Sequence, residues 1–461
     1  MMSNALTEEK ELIHDSDPIS EGLVPDVENQ QLASRSTAYL DGLRGIAALI
    51  VVLQHYTPYF YGESDNLNHG FGENGNYYLG SFPIFRLIYT GGHTAVPVFF
   101  VLSGYVLSRS PLRAIRDHGK CDSQLISSVL KRPIRLYLPP MMSTLLYAIL
   151  MHVPFGTLRY VTWPEPKQSL ALELVAWLSE FTWFFNPFRL MNGRWCYYGV
   201  VMWTMPVELR GSMLIYALAF VTSRMKFISP KRLSYGFMVA TVLVFVVGHW
   251  AMAMFFAGMT MSIIDVYELS YPFLHQSKVT PDVIYNALLF LGLWLAGQPG
   301  FMGGPQWALD TPGWHTVTML TPANYMAVEY IRFWTSMGAI MIVCSCRRIS
   351  WIQRFFVTRP LRYLGQVSFS LYLTHALVYF TLSETIHRMF GQIDARPDEH
   401  PTWWDNRLWI PDIGPIGLSS RFLVCAFVSL SICMSVAHMG TIYFDQTSVR
   451  AGKWFAKKLG Y

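Results

Sequence analysis

The sequence predicts an all-α, polytopic membrane protein of about ten transmembrane helices, and three observations carry that prediction. The 461 residues are 52% hydrophobic, 15% aromatic and only 14% charged, with positive mean hydropathy, which is too much apolar surface for one soluble core. Apolar runs long enough to enter a bilayer recur from Tyr39 to the C-terminal region. Between them the Lys and Arg residues fall in alternate loops rather than on one continuous patch. The net charge of +5 therefore reports topology and not nucleic-acid binding. Cys121, Cys196, Cys344, Cys346, Cys425 and Cys433 have neither disulfide-framework nor zinc-ligand spacing, so neither redox chemistry nor a metal site is expected.

Residues 1–37 hold eight acids (Glu8, Glu9, Glu11, Asp15, Asp17, Glu21, Asp26 and Glu28) against Lys10 and Arg35, without hydrophobic periodicity, and read as a disordered cytosolic tail. No basic segment followed by an apolar one opens the chain, so no cleaved signal peptide is expected and the first span directs insertion. The membrane domain is expected over 38–445 and a basic cytosolic tail over 446–461. Span one is expected at about 42–61, inside YLDGLRGIAALIVVLQHY, where Gly45 to Leu53 carries no charge. Span two is expected at 94–108, with Ser103-Gly104 letting another backbone come close.

Seven bases (Arg109, Arg113, Arg116, Lys120, Lys131, Arg132 and Arg135) against Asp117 and Asp122 place residues 109–135 in the cytosol. Span three, about 134–153, opens on Pro139-Pro140. A helix keeps such a pair at depth only where protein or a water-filled cavity satisfies the freed carbonyls, so this segment is expected to line something. Span four, about 199–221, carries Pro206, Glu208 and Arg210, and a second basic loop follows at Arg224, Lys226, Lys231 and Arg232. The stretch 234–265 is too long for one span, and Gly248-His249-Trp250 offers a turn that splits it in two. Spans near 284–297 and 324–346 then return the chain to a third basic loop, Arg347 to Arg362, because crossings between cytosolic loops must be even in number. Spans at about 360–382 and 419–442 precede Arg450, Lys453, Lys457 and Lys458. Both termini are thus expected in the cytosol, in a plasma membrane or endomembrane. In the outer loop 383–418, Trp403, Trp404 and Trp409 serve either sugar stacking or an interfacial aromatic belt.

Ionisable residues inside these spans are the candidate site. An unpaired charge at the centre of a bilayer costs about 2.5–3.5 kcal/mol on insertion scales, so such residues mark function by default. Arg44 and His55 are eleven residues apart. At about 100° per residue that is three turns plus roughly 20°, which puts both on one helix face, about 16 Å apart along the axis. The blander reading makes Arg44 a cytosolic anchor and His55 a partner for a neighbouring helix. Counting residues from the ends of their spans puts His55, Glu208 and His375 at one level, roughly 10–14 Å below the outer surface, an arrangement suited to general-base chemistry on a hydroxyl or to a structural network. Near the cytosolic face Arg44, Arg132, Arg135, Arg359 and Arg362 gather. Guanidinium forks match phosphate oxygens, although any single one also suits a lipid-headgroup anchor.

Five segments in order resemble the acyltransferase 3 family over about 39–442. They are Arg44-x10-His55, FFVLSGYVLS around Ser103-Gly104, Arg132-x-x-Arg135, Trp203-x4-Glu208, and SFSLYLTH at 368–375. In detail the chain looks like the fungal branch, with WTMPVEL where bacterial members have a W-S-L-x-x-E-E pattern. Tyr105 stands for the usual Phe of S-G-F. Leu209 stands for the second Glu, which leaves Glu208 as the one carboxylate there. The resemblance implies an O-acyltransferase that moves an acyl group, usually acetyl, from cytosolic acetyl-CoA to a hydroxyl of an extracytoplasmic carbohydrate or specialised metabolite. It makes His55 the catalytic histidine, as general base or acyl carrier; the depth count adds Glu208 and His375 as its expected catalytic partners. Arg44 and the Arg132/Arg135 pair then serve donor binding or through-membrane transfer, and Ser103 is expected beside them at the donor site. The rival readings are a transporter of a small polar solute, which intramembrane charges and Pro-broken helices also fit, and an acyltransferase-like membrane scaffold that has lost activity. No internal symmetry of span pattern supports the transporter, and retention of Arg44, His55, Arg132, Arg135 and Glu208 speaks against the scaffold.

Overall fold

The computed structural model describes residues 24–61, 69–153, 165–189, 195–225, 228–271, 280–300, 305–393 and 403–461. These residues form helices, with no strand beyond an isolated bridge between Cys196 and Gly199. Twelve helices matter for the site: α1 (Val24–Tyr61), α2 (Gly92–His118), α3 (Asp122–Leu150), α4 (Leu170–Phe184), α5 (Thr204–Arg224), α6 (Pro230–Val246), α7 (Trp250–Val266), α8 (Pro281–Ala296), α9 (Tyr330–Cys346), α10 (Arg359–Val378), α11 (Ser420–Gly440) and α12 (Gln446–Lys458). Local chemistry sets several ends. Gly119, at φ 68°, stops α2 in the left-handed conformation that a residue with a Cβ avoids. Ser229 caps α6 by accepting from the Arg232 amide, with Pro230 at the first helical position.

All-α architecture with long apolar helices is what the structure has, and a helix lies at each of the ten expected places. The number able to cross a membrane is smaller than expected. Among the described residues four helical stretches are long and apolar enough: Thr37–Thr57, Gly92–His118, Val200–Arg224 and Ser420–Lys458. Three shorter apolar helices are Trp250–Val266, Pro281–Ala296 and Tyr330–Cys346. The physical reasons for the shortfall are plain. The split at Gly248, whose φ is 105°, leaves helices of 17 residues on each side, about 25 Å long at 1.5 Å per residue, short of a 30 Å core. The helices α3 and α10 dilute their apolar residues with others, Arg135, Pro139, Pro140, Ser143 and Thr144 in one and Arg362, Gln366, Ser368, Ser370, Thr374 and His375 in the other.

Two further expectations need correction. The helix α1 begins at Val24, so residues 24–37 of the expected disordered tail are helical, and residues 1–23 lie outside the described residues. The Pro139-Pro140 pair does not open a helix, because α3 starts at Asp122 and runs through both prolines, which are buried against protein. Their missing N–H groups leave the carbonyls of Arg135 and Leu136, four residues back, without a helical donor, and those two residues face a cavity.

Two close helix pairs hold the bundle around that cavity. A Cβ on Gly104 of α2 would stand 2.1 Å from the Phe255 carbonyl oxygen of α7, and one on Gly258 would stand 2.1 Å from that of Val101. The expected close approach at Ser103-Gly104 is therefore to α7. On the other side Gly45 of α1 would meet the Gly365 amide of α10 at 2.6 Å. Gly104→Val forces α2 and α7 apart, and overpacking of this kind costs about 1–3 kcal/mol. A lowered thermal midpoint of the detergent-purified protein is the expected result.

Candidate active site

The helices α1, α2, α3, α5 and α10 enclose a cavity of about 220 Å³, lined at its polar end by Arg44, Ser103, Arg132, Arg135, Glu208, Ser368 and Asp445. Its apolar walls include Phe99, Phe100, Leu136 and Phe369. The Glu208 carboxylate organises one side. Arg132 Nη2 donates to its Oε1 at 2.5 Å, the Ser103 hydroxyl donates to the same oxygen, and Arg132 Nε donates to Ser212 Oγ at 2.9 Å. On the opposite side Arg44 Nε donates to Ser368 Oγ at 3.2 Å, and its Nη2 lies 3.1 Å from Asp41. Arg135 makes no hydrogen bond or ion pair among the described residues. The acid that shares its end of the cavity is Asp445, brought there by the π-helical segment Thr441–Asp445 between α11 and α12. A π-helical turn of this kind inside a long helix often coincides with a functional site.

A second cluster stands further along α1 and α10. The rings of His55 and His375 have centroids 5.1 Å apart. In each, Nδ1 donates to the carbonyl four residues back, Val51 at 2.8 Å and Leu371 at 3.1 Å. A carbonyl only accepts, so Nδ1 carries the proton and, in the neutral ring, Nε2 holds the free lone pair. The Nε2 of His375 is buried without a partner among the described residues. Arg44 and His55 both face α10, Arg44 at Ser368 and His55 at His375, so the shared helix face read from the eleven-residue spacing is present.

Glu208 does not belong to this cluster. The hydroxyls of Thr204 and Tyr372 lie 2.9 Å apart, and Tyr372 donates to the Val201 carbonyl at 2.9 Å. Thr204 therefore marks the level of Tyr372. Glu208 lies one turn from Thr204 toward Arg224, while His375 lies nearly one turn from Tyr372 in the opposite direction. At about 1.5 Å per residue the carboxylate and the histidine pair are offset by roughly 10 Å along the bundle. Counting depth from residue 199 misplaced Glu208, because the α-helix starts only at Thr204, after a 3₁₀ turn at Val200–Trp203. Arg359 and Arg362 are exposed and do not line the cavity. Arg210 points away from Glu208, with its Nε donating to the Pro206 carbonyl at 3.3 Å and Nη1 to that of Arg189 at 3.4 Å.

Sequence reasoning missed Tyr372, Asp445 and the Arg132–Glu208 pair. Tyr372 sits inside the quoted SFSLYLTH and closes the end of the cavity nearest the histidines, its ring 6.1 Å from that of His375 and 5.9 Å from that of Phe99. That Arg132 and Glu208 each need a partner was open to inference, since an Arg and a Glu in apolar spans are costly alone, but which partner each takes was not.

The acyltransferase domain family Acyl_transf_3 matches residues 37–438. The chain is 27% identical to the O-acetyltransferase PaAT-1 of Phomopsis amygdali, over 92% of this chain and 85% of that protein. It is 26% identical to the acyltransferase clz18 of Cochliobolus lunatus and 26% identical to the acyltransferase R4 of a Phoma species, each over 74% of this chain and 82% of the relative. No solved structure matches it.

Proposed function

Because this chain belongs to the acyltransferase family whose domain spans residues 37–438, we propose that it is an integral-membrane O-acyltransferase using cytosolic acyl-CoA. By its likeness to the O-acetyltransferase PaAT-1 the acyl group is acetyl and the acceptor a hydroxyl; the resemblance of the sequence motifs puts that hydroxyl on an extracytoplasmic carbohydrate or specialised metabolite. The observation that carries the reading is the two-level arrangement, an arginine-lined cavity with a histidine pair one layer beyond it. Arg44 and Arg135 receive the CoA phosphates at the cavity mouth. Glu208 and Ser212 hold Arg132 in place beside them. The thioester arm extends along Phe99 and Phe369 toward Tyr372.

His55 then performs the chemistry through Nε2. As general base it takes the acceptor's hydroxyl proton while that oxygen attacks the thioester carbonyl, and the proton leaves with the CoA thiolate as thiol. The offset between cavity and histidine pair also favours a relay. In that route Nε2 attacks the carbonyl, CoA leaves as thiolate and takes a proton from water, and the acyl-imidazolium passes its acyl group to the hydroxyl, whose proton is released to water as the neutral imidazole is restored. The test is to feed labelled acetyl-CoA to membranes from expressing and deletion cells and identify the labelled ester by mass spectrometry. A labelled product present only in expressing membranes is expected, and identical profiles would count against the reading.

We further propose ten crossings with both termini cytosolic, a topology supported by the alternation of basic loops along the sequence. In a cysteine-free background, Lys120→Cys and Arg354→Cys are expected to resist an impermeant thiol reagent in sealed, right-side-out cells, while Ile413→Cys reacts. Labelling of Arg354→Cys from outside would break the ten-crossing map.

A further inference from the structure

Arg332 lies in the first turn of α9 and points into the bundle. Its guanidinium carbon stands 4.7 Å from the Trp250 ring centroid and 5.4 Å from that of Trp203. Nη1 donates to the His93 carbonyl at 3.3 Å. Among the described residues Arg332 has no ion pair. The acid three positions before it, Glu329, is exposed and accepts from Trp250 Nε1. The Glu329 charge acts on the guanidinium from a distance, but a cation in an apolar span without an ion-pair partner in contact is costly, and here the positive end of the α9 dipole adds to it rather than offsetting it. Bracing three helices through two aromatic faces does not require that charge.

The position of Arg332 ties it to the histidine pair from two sides. The His93 amide donates to Gln54 Oε1 at 3.2 Å, and Gln54 is the neighbour of His55. Trp203 precedes Thr204, whose hydroxyl meets that of Tyr372, one turn from His375. Arg332 therefore sits at the level of the histidines, on the far side of Tyr372 from the cavity that holds Arg44 and Arg135.

We propose that Arg332, framed by Trp203 and Trp250, anchors the acceptor by binding a carboxylate that it carries, so that the acceptor is a hydroxy acid presented with its hydroxyl toward His55. This rests on the O-acyltransferase reading above. The planar guanidinium fork matches a carboxylate with two parallel hydrogen bonds, and the desolvated surroundings strengthen that pairing. The indole faces that flank the guanidinium offer apolar contact to the carbon skeleton beside it.

The probes are 3-hydroxybenzoate and its neutral counterpart 3-hydroxybenzyl alcohol, titrated calorimetrically into the detergent-purified full chain. Wild type is expected to bind the acid at least tenfold more tightly than the alcohol. Arg332→Met is expected to erase the preference, Arg332→Lys to keep part of it, and His55→Ala to keep all of it. Acetyl-CoA affinity is expected to be unchanged in all three variants. Equal affinity of wild type for the two probes, no binding of the acid by wild type, or a full preference in Arg332→Met would each overturn the proposal. Should Arg332→Met fail to fold, the wild-type preference and its reduction in Arg332→Lys still decide. Wild-type binding of acetyl-CoA in the same preparation separates these outcomes from failure of the acyltransferase reading itself.

Discussion

His55→Ala is expected to abolish acyl transfer while the protein still folds and binds acetyl-CoA. An alcohol hydroxyl with a pKa far above 7 is a poor nucleophile, and a positioned base near neutral pKa contributes about 10²–10⁴ in rate. The Nδ1 bond to the Val51 carbonyl fixes the His55 tautomer that leaves Nε2 as the base, and the ring is half-buried rather than sealed. His55 does not line the arginine-bearing cavity, so donor affinity is expected to stay within about twofold of wild type, a difference of well under 1.4 kcal/mol. Single-turnover assays and calorimetry on the purified variant check both halves. Glu208→Gln is expected to behave differently. Its carboxylate holds Arg132 and Ser103 and stands a layer away from the imidazole, so its loss is expected to raise the KM for acetyl-CoA more than it lowers kcat.

Arg135→Ala is expected to weaken acetyl-CoA binding at least tenfold with little change in thermal stability, because its guanidinium makes no hydrogen bond or ion pair among the described residues and faces the cavity. Three phosphates must be met by cations, and Arg135 is one without an ion pair among the described residues. Arg135→Lys should rescue only part, since an ammonium lacks the bidentate fork. Arg132→Ala is expected to hurt folding as well as binding, since it strands a buried Glu208. Removing one partner of a buried ion pair costs about 3–5 kcal/mol. Melting and binding measured side by side therefore separate the two arginines that the Arg132-x-x-Arg135 spacing presents as equivalents. Unchanged acetyl-CoA affinity in Arg135→Ala would assign it to lipid anchoring.

Sequence periodicity sufficed for helix positions and helix faces. The eleven-residue interval between Arg44 and His55 fixed their common face because an α-helix has one pitch, and Gly248 marked the turn between α6 and α7 because a positive φ needs such a residue. Depth was not legible for Glu208, because it depends on where the 3₁₀ turn at Val200–Trp203 gives way to α-helix, a difference of one turn that composition does not encode. Partner choice was also hidden. The pairing of Glu208 with Arg132 rather than with an imidazole follows from which helices pack together, and that in turn rests on close contacts such as Gly104 against Phe255. Arg332 escaped notice although the rule that singled out Arg44, a charge within an apolar span, applies to it equally.

The central claim is that a donor bound on the cytosolic side acylates an acceptor on the other side at His55. Sealed inside-out vesicles containing the purified protein and an acceptor extract in the lumen, given impermeant radiolabelled acetyl-CoA outside, test it most directly. Labelled O-acetyl ester in the lumen with wild type, and none with a folded His55→Ala protein that still binds acetyl-CoA, is the predicted result. Wild-type-like luminal labelling by His55→Ala, or label confined to acceptors outside the vesicles, would contradict it.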